Sequence, residues 1–111
     1  METQQKNGVT VIIVDERLDA LAAPKFKETI KKMTEQSKTK LVIDMTKTKL
    51  IDSSGCGVLI VSLRTLLKNH GDIKIARPSP QVKTIFRLTR LDRVFDIYED
   101  LDEAIKSFVE K

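Results

Sequence analysis

Asp52, Ser53 and Ser54 stand together, are followed by Gly55 and Gly57, and run directly into Val58-Leu59-Ile60-Val61. An acid, two hydroxyls and two glycines ahead of an apolar stretch read as a strand-to-helix junction. A hydroxyl at a helix start meets free backbone N–H groups and the positive end of the helix dipole, so it tolerates a phosphate. The chemistry on offer is acceptance of a phosphoryl group, with Asp52 adjacent and already negative. Read locally, Ser53 or Ser54 also reads as a plain N-cap worth ~1 kcal/mol to the helix. Of the two, Ser54 is better placed as the cap. Gly55 and Gly57 permit a tight turn and close packing.

Other chemistries lack parts. Cys56 is the only cysteine and His70 the only histidine, which excludes an internal disulfide and a cysteine-based metal cluster. Cys56 reads as a small packed apolar residue; a helix N-terminus would lower its thiol pKa. His70, beside Gly71, belongs to a helix C-terminus. There is no Gly-x-Ser-x-Gly elbow with a histidine partner and no Gly-x-x-x-x-Gly-Lys phosphate cradle. No cofactor, no metal and no enzymatic activity are expected.

The chain has 111 residues, 41% apolar and 32% charged, with a net charge of +4, which suits one globular domain spanning 1–111. No apolar run approaches the ~18–20 residues of a membrane span, and Met1 to Lys6 does not read as a signal peptide, so the expected location is cytoplasmic. Arg77, Lys83, Arg87, Arg90 and Arg93 face a single acid, Asp92, between residues 77 and 93. With few aromatics and no nucleic-acid-binding signature, this segment reads as a solvated face or a rim for an acidic protein, not a nucleic-acid site.

The elements that must position the junction follow from periodicity. Asn7-Gly8 is a hairpin signal before a β-branched strand, Val9 to Val14; on its near side Thr3 to Lys6 reads as a polar edge strand, with a flexible tail as the competing reading. Pro24 suits the first turn of a helix whose stripe is Phe26, Ile30 and Met33. Leu41-Val42-Ile43 fits a central strand covered on both sides. The helix from about Ser54 to Asn69 carries an apolar stripe wider than the ~100° a surface helix hides, so it is either sandwiched in the fold or partly open to a partner. Gly71 ends it, and Asp72-Ile73-Lys74-Ile75 alternates like a strand with one wet face. Ser79-Pro80 starts a helix with Val82, Ile85, Phe86 and Leu88 inward. Val94 to Tyr98 reads as a last strand, and Asp100 to Glu103 as a capping box for a terminal helix. The order β-β-α-β-α-β-α-β-α predicts an α/β fold with a mixed four- to five-stranded sheet and about four helices.

Three blocks of this chain resemble the STAS domains of bacterial anti-sigma factor antagonists. They are Arg17-Leu18-Asp19-Ala20 with Ala23-Pro24; Leu41-Val42-Ile43-Asp44-Met45 with Ile51-Asp52-Ser53-Ser54-Gly55-Cys56-Gly57; and Ser79-Pro80-Gln81-Val82 with Ile85-Phe86, Leu91-Asp92 and Val94-Phe95. The resemblance implies a single STAS-like domain. It implies phosphorylation of Ser53 by an anti-sigma factor that is itself a serine kinase, release of that partner, and recovery through a serine phosphatase. It also implies that the Asp19 loop lies near Ser53; Asp19 read alone is a turn or capping acid. Glu16 stands where many members carry glycine, which puts the turn at Arg17–Ala20 outside the family pattern; Thr48 stands where the position is usually apolar, so the loop before Asp52 is expected to pack loosely. The expected partner face is Cys56, Val58, Ile60 and Val61, flanked by Asp19, Asp52, Ser54, Gly55 and Gly57. The chain is expected to be a monomer or weak dimer. The alternative is a non-switching scaffold module of the same fold in a transport or stress-sensing assembly.

Overall fold

Asn7 and Gly8 turn the chain with φ of 54° and 78°, the left-handed values a two-residue hairpin demands. They join strand β1 (Glu2–Lys6) to β2 (Val9–Ile13) in antiparallel register, with Lys6 opposite Val9. The computed structural model describes residues 1–109. From β2 the sheet grows by parallel addition of β4 (Lys40–Asp44), β6 (Asp72–Ala76) and β7 (Ile97–Tyr98), in the order β1-β2-β4-β6-β7. Helices α1 (Ala23–Glu35), α2 (Ser53–Lys68) and α3 (Pro80–Leu88) make the crossovers.

Parallel crossovers share one hand, so a sheet that always grows in one direction carries its crossover helices on one face. Phe26, Ile30 and Met33 of α1, Leu59, Leu63 and Leu66 of α2, and Val82 and Phe86 of α3 accordingly share one core with Ile12, Leu41, Ile43, Ile73 and Ile75. The opposite face is covered by α4 (Leu101–Val109), whose Ala104 and Ile105 pack on Val9, Val11, Val42 and Ala76. Cover on both sides is why Leu41, Val42 and Ile43 are all buried in the central strand.

Several details differ from the sequence reading. Two short strands, β3 (Arg17–Leu18) and β5 (Leu50–Ile51), pair in parallel beside the main sheet. The run from Val94 is not one strand: Leu91–Arg93 form a 3-10 turn, and only Ile97 and Tyr98 pair with β6. The face of β6 expected to be wet is covered, and the Lys74 ammonium sits 4.8 Å from the Phe108 ring centre and 3.8 Å from Asp96. The left-handed residue that ends α2 is His70, with φ 61°. Gly71 is needed instead for contact, because a Cβ there would run into the Thr39 carbonyl. Leu88 points outward at 73% exposure.

A polar network ties down the strand ends that lead to the junction. Asp44 is buried at the end of β4 and accepts from Arg77 Nη2 at 2.7 Å, Thr46 Oγ1 at 2.6 Å and the Thr46 N–H at 3.1 Å. Burial alone would raise its carboxyl; the hydrogen bonds from Arg77 and Thr46 outweigh that and hold it below the ordinary 3.8. Thr48 does not loosen its loop. It is buried, its hydroxyl donates to the Asp15 carbonyl at 2.9 Å, and its own carbonyl accepts from Ser79 Oγ at 3.1 Å. Glu16 keeps an ordinary negative φ, and its carbonyl accepts from the Lys49 and Leu50 N–H groups, so no glycine is required there.

Replacing Arg77 by alanine strands the buried Asp44 carboxylate. The Arg77 side chain is 41% exposed, so the expected loss in urea denaturation is about 2 kcal/mol, below the full value for a buried pair. Because the folded Asp44 pKa is depressed, its contribution is present above 3.8 and is lost as pH falls through the folded value. The difference between wild type and Arg77→Ala therefore narrows on acidification and does not widen.

The two glycines at the start of α2 respond oppositely to alanine. A Cβ on Gly55 would strike the Leu18 carbonyl and lie 2.8 Å from Ile51 Cγ1, whereas at Gly57 it would meet open space. Gly55→Ala is expected to cost about 1–3 kcal/mol. Gly57→Ala is expected to stabilise by about 0.5–1 kcal/mol through helix propensity. Chemical denaturation of the two variants side by side checks both signs.

Candidate functional site

The β3–β5 pair brings two distant loops to the tip of α2. β5 delivers the chain into Asp52, which is extended (φ −115°, ψ −171°) and caps the helix. Asp52 Oδ1 accepts from the Gly55 N–H at 2.9 Å, its carbonyl from the Cys56 N–H at 2.9 Å, and Oδ2 from the Ala20 N–H at 3.2 Å. One carboxylate therefore caps α2 and holds the loop between β3 and α1 against it. Leu18 completes the join, its carbonyl accepting from the Asp52 N–H at 3.4 Å where Gly55 leaves room for it.

The cap is thus Asp52 and not Ser54, because the acid preceding the serines already reaches the third N–H of the helix. Ser53 and Ser54 occupy the first two helical positions, and both are exposed. Neither hydroxyl has a hydrogen-bond partner among the described residues. Their backbone N–H groups lie in the first turn, where no intrahelical acceptor exists. A phosphate on Ser53 Oγ would therefore stand in solvent, beside free N–H donors and next to the Asp52 carboxylate.

Asp19 lies in the loop that Asp52 holds, but its carboxylate turns to its own backbone. Oδ1 accepts from the Leu21 and Ala22 N–H groups at 3.2 and 3.1 Å, which closes the turn into α1. The side chain acts as the turn acid, while its loop borders the junction as anticipated.

The expected partner face is redrawn by packing. Cys56 and Val58 are buried in the core, Ile60 is half-buried against it, and Val61 is 44% exposed. The broad apolar character of α2 is mostly explained by its being sandwiched in the fold. Cys56 is a buried free thiol: burial pushes its pKa up, and the nearby Asp52 charge adds to that, against the pull of the helix terminus. Further exposed apolar surface lies on the loops around the tip. Leu21, one residue beyond the Ala20–Asp52 bond, is 91% exposed, and Leu50 at the start of β5 is also exposed. Sequence reasoning missed Leu21. Its only signal was a large apolar residue in the turn after Asp19, outside any stripe.

Among the described residues, no group of histidine, cysteine or acidic side chains could hold a metal ion, and no helix is long and apolar enough to cross a membrane.

The sequence model of the STAS domain matches residues 1–104. Over 94 residues the chain is 29% identical to the anti-sigma-B factor antagonist of Bacillus subtilis (strain 168), covering 85% of this chain and 84% of that one. The crystal structure of an anti-sigma factor antagonist from Mycobacterium paratuberculosis superposes with a TM-score of 0.85 at 27% identity, covering 96% of this chain and 90% of that one. The Bacillus cell fate determinant SpoIIAA in its phosphorylated form shares the fold, with a TM-score of 0.74 at 22% identity over 96% of this chain and 97% of that one. A family match over nearly all of its length, on a sheet and helix arrangement that these proteins share, places this chain in the STAS domain family.

Proposed function

We propose that the protein is an anti-sigma factor antagonist controlled at Ser53. In this reading the unmodified chain binds an anti-sigma factor that is also a serine kinase, and so frees a sigma factor. The kinase then inactivates the antagonist. Ser53 Oγ attacks the γ-phosphorus of ATP, an O–P bond forms as the bond to the β-phosphate oxygen breaks, ADP leaves, and the hydroxyl proton passes to a base on the kinase. A serine phosphatase restores the hydroxyl with water, releasing inorganic phosphate. The protein is the substrate and binding module in this cycle, acting by contact and not by catalysis.

The observation that carries the reading is the division of labour at the tip of α2. Asp52 does all the capping, so the Ser53 hydroxyl is exposed and unengaged. Phosphorylation would add about −1.5 to −2 charges there. The helix dipole offsets part of that charge and Asp52 opposes it, so the fold is little disturbed. A partner covering Leu21, Leu50 and the exposed edge of α2 would have to bury that charge. At a cost of ~3–4 kcal/mol, binding weakens by ~10²–10³-fold. The names of the similar antagonists, and the solved phosphorylated state of a protein with this fold, support the assignment.

The test is mass spectrometry of the chain incubated with ATP and a serine-kinase anti-sigma factor. One phosphate is expected on wild type and on Ser54→Ala, and none on Ser53→Ala. The phosphorylated chain should bind that partner at least ~100-fold more weakly by calorimetry. Uptake of one phosphate by Ser53→Ala, or equal affinity of the two forms, would overturn the reading, and equal affinity would favour a constant-contact scaffold.

Leu21 supplies a second measurement. Its side chain is 91% exposed, so Leu21→Ala should change stability by less than about 0.5 kcal/mol. The same substitution is expected to weaken partner binding by about tenfold, as for an anchor residue at an interface.

A further inference from the structure

The end of α3 and the turn after it carry a surface that the Ser53 site does not use. Leu88, the last residue of α3, is 73% exposed, and Val94, just past the 3-10 turn, is 51% exposed. Between them the chain turns sharply at Arg90, which has a left-handed φ of 64°. Buried Leu91 and Phe95 pin the turn to the core. Arg87, Leu88, Arg90, Asp92 and Arg93 line one open depression of about 490 Å³. Three of the chain's six arginines thus meet in one place. Among the described residues none of the three enters an ion pair.

We infer that this depression docks an acidic segment of a partner protein, with an apolar side chain of that segment seated on Leu88. Three unpaired guanidinium groups repel one another and gain from carboxylates, which they grip in bidentate fashion better than lysine would. Arg87 alone could be explained as a complement to the α3 dipole, since it lies in the last turn. Arg90 and Arg93 lie beyond the helix, and the dipole does not account for Leu88. A large apolar residue rimmed by arginines is the composition of an interface core and not of a solvated face. Nucleic acid fits less well: no aromatic lines the depression to stack a base, Leu88 has no partner on a phosphate backbone, and Asp92 stands inside. An anionic membrane fits less well too, because a concave site with one acid offers little apolar area to insert. The surface lies at the far end of α3 from the Ser79 cap that borders the junction loops, about 13 Å along the helix axis.

The test uses the full chain and a fluorescently labelled helical peptide with glutamates around two leucines. Anisotropy should show saturable binding. It should weaken at least ~10-fold in Leu88→Ala and in the Arg87→Ala/Arg93→Ala double variant. In NMR titration of the wild type, the shifts should concentrate between residues 85 and 95; shifts centred on the α1 lysines instead would overturn the inference without relying on any variant. So would full affinity in Leu88→Ala, tighter binding of duplex DNA or phosphatidylserine vesicles than of the peptide, or concentration-dependent self-association that the arginine substitutions abolish.

Discussion

The Asp52 carboxylate is the constraint on which the rest of this protein depends. One oxygen closes the first turn of α2 through Gly55, and the other holds the Ala20 N–H of a loop more than thirty residues upstream. Both bonds require β3 and β5 to pair in register, and they require position 55 to lack a Cβ. Because one side chain does this structural work, the next residue is relieved of it. Ser53 sits at a helix start, where serines ordinarily cap, yet its hydroxyl is free. With the capping done by Asp52, the Ser53 hydroxyl takes part in no bond that the fold needs.

The remainder of the fold supplies a stiff base for that junction. The sheet extends in a single direction, so α1, α2 and α3 crowd one face and α4 seals the other. At the ends of the parallel strands, Asp44 is satisfied by Arg77 and Thr46, and Thr48 and Ser79 tie the neighbouring loops together. In the proposed cycle, a rigid base of this kind turns a phosphate on Ser53 into a change of surface charge and not of shape, and binding is controlled by desolvation, because an unpaired buried charge costs several kcal/mol.

Much of the fold was legible in the chain because its signals are local. Asn7-Gly8 needs left-handed backbone at both residues, and few other pairs supply it. The spacing of Phe26, Ile30 and Met33 has one sensible helical reading. A β-branched run such as Val9 to Ile13 has one sensible strand reading. The errors share a different cause. Two-residue strands such as β3 and β5 have no periodicity to read, and their existence is settled by the partner each finds. The stretch from Val94 to Tyr98 reads as a strand, yet Leu91 and Phe95 are drawn inward together and a 3-10 turn precedes it. Gly71 reads as a conformational stop, whereas Thr39, remote in sequence, is what demands a glycine there.

The sequence by itself determined the order of the main elements and the position of the junction, since these rest on spacing and on residue chemistry within a few turns of chain; Ser53 as the candidate acceptor came from the resemblance to STAS domains. Only the tertiary structure decided which neighbours of Ser53 are available. It buried Cys56 and Val58, turned the Asp19 carboxylate to its own backbone, made Asp52 the cap, and left Leu21 and Leu50 on the surface. The reason is geometric: a helix wide in apolar residues can be hidden or exposed with the same pattern, and only the elements packed against it choose between the two.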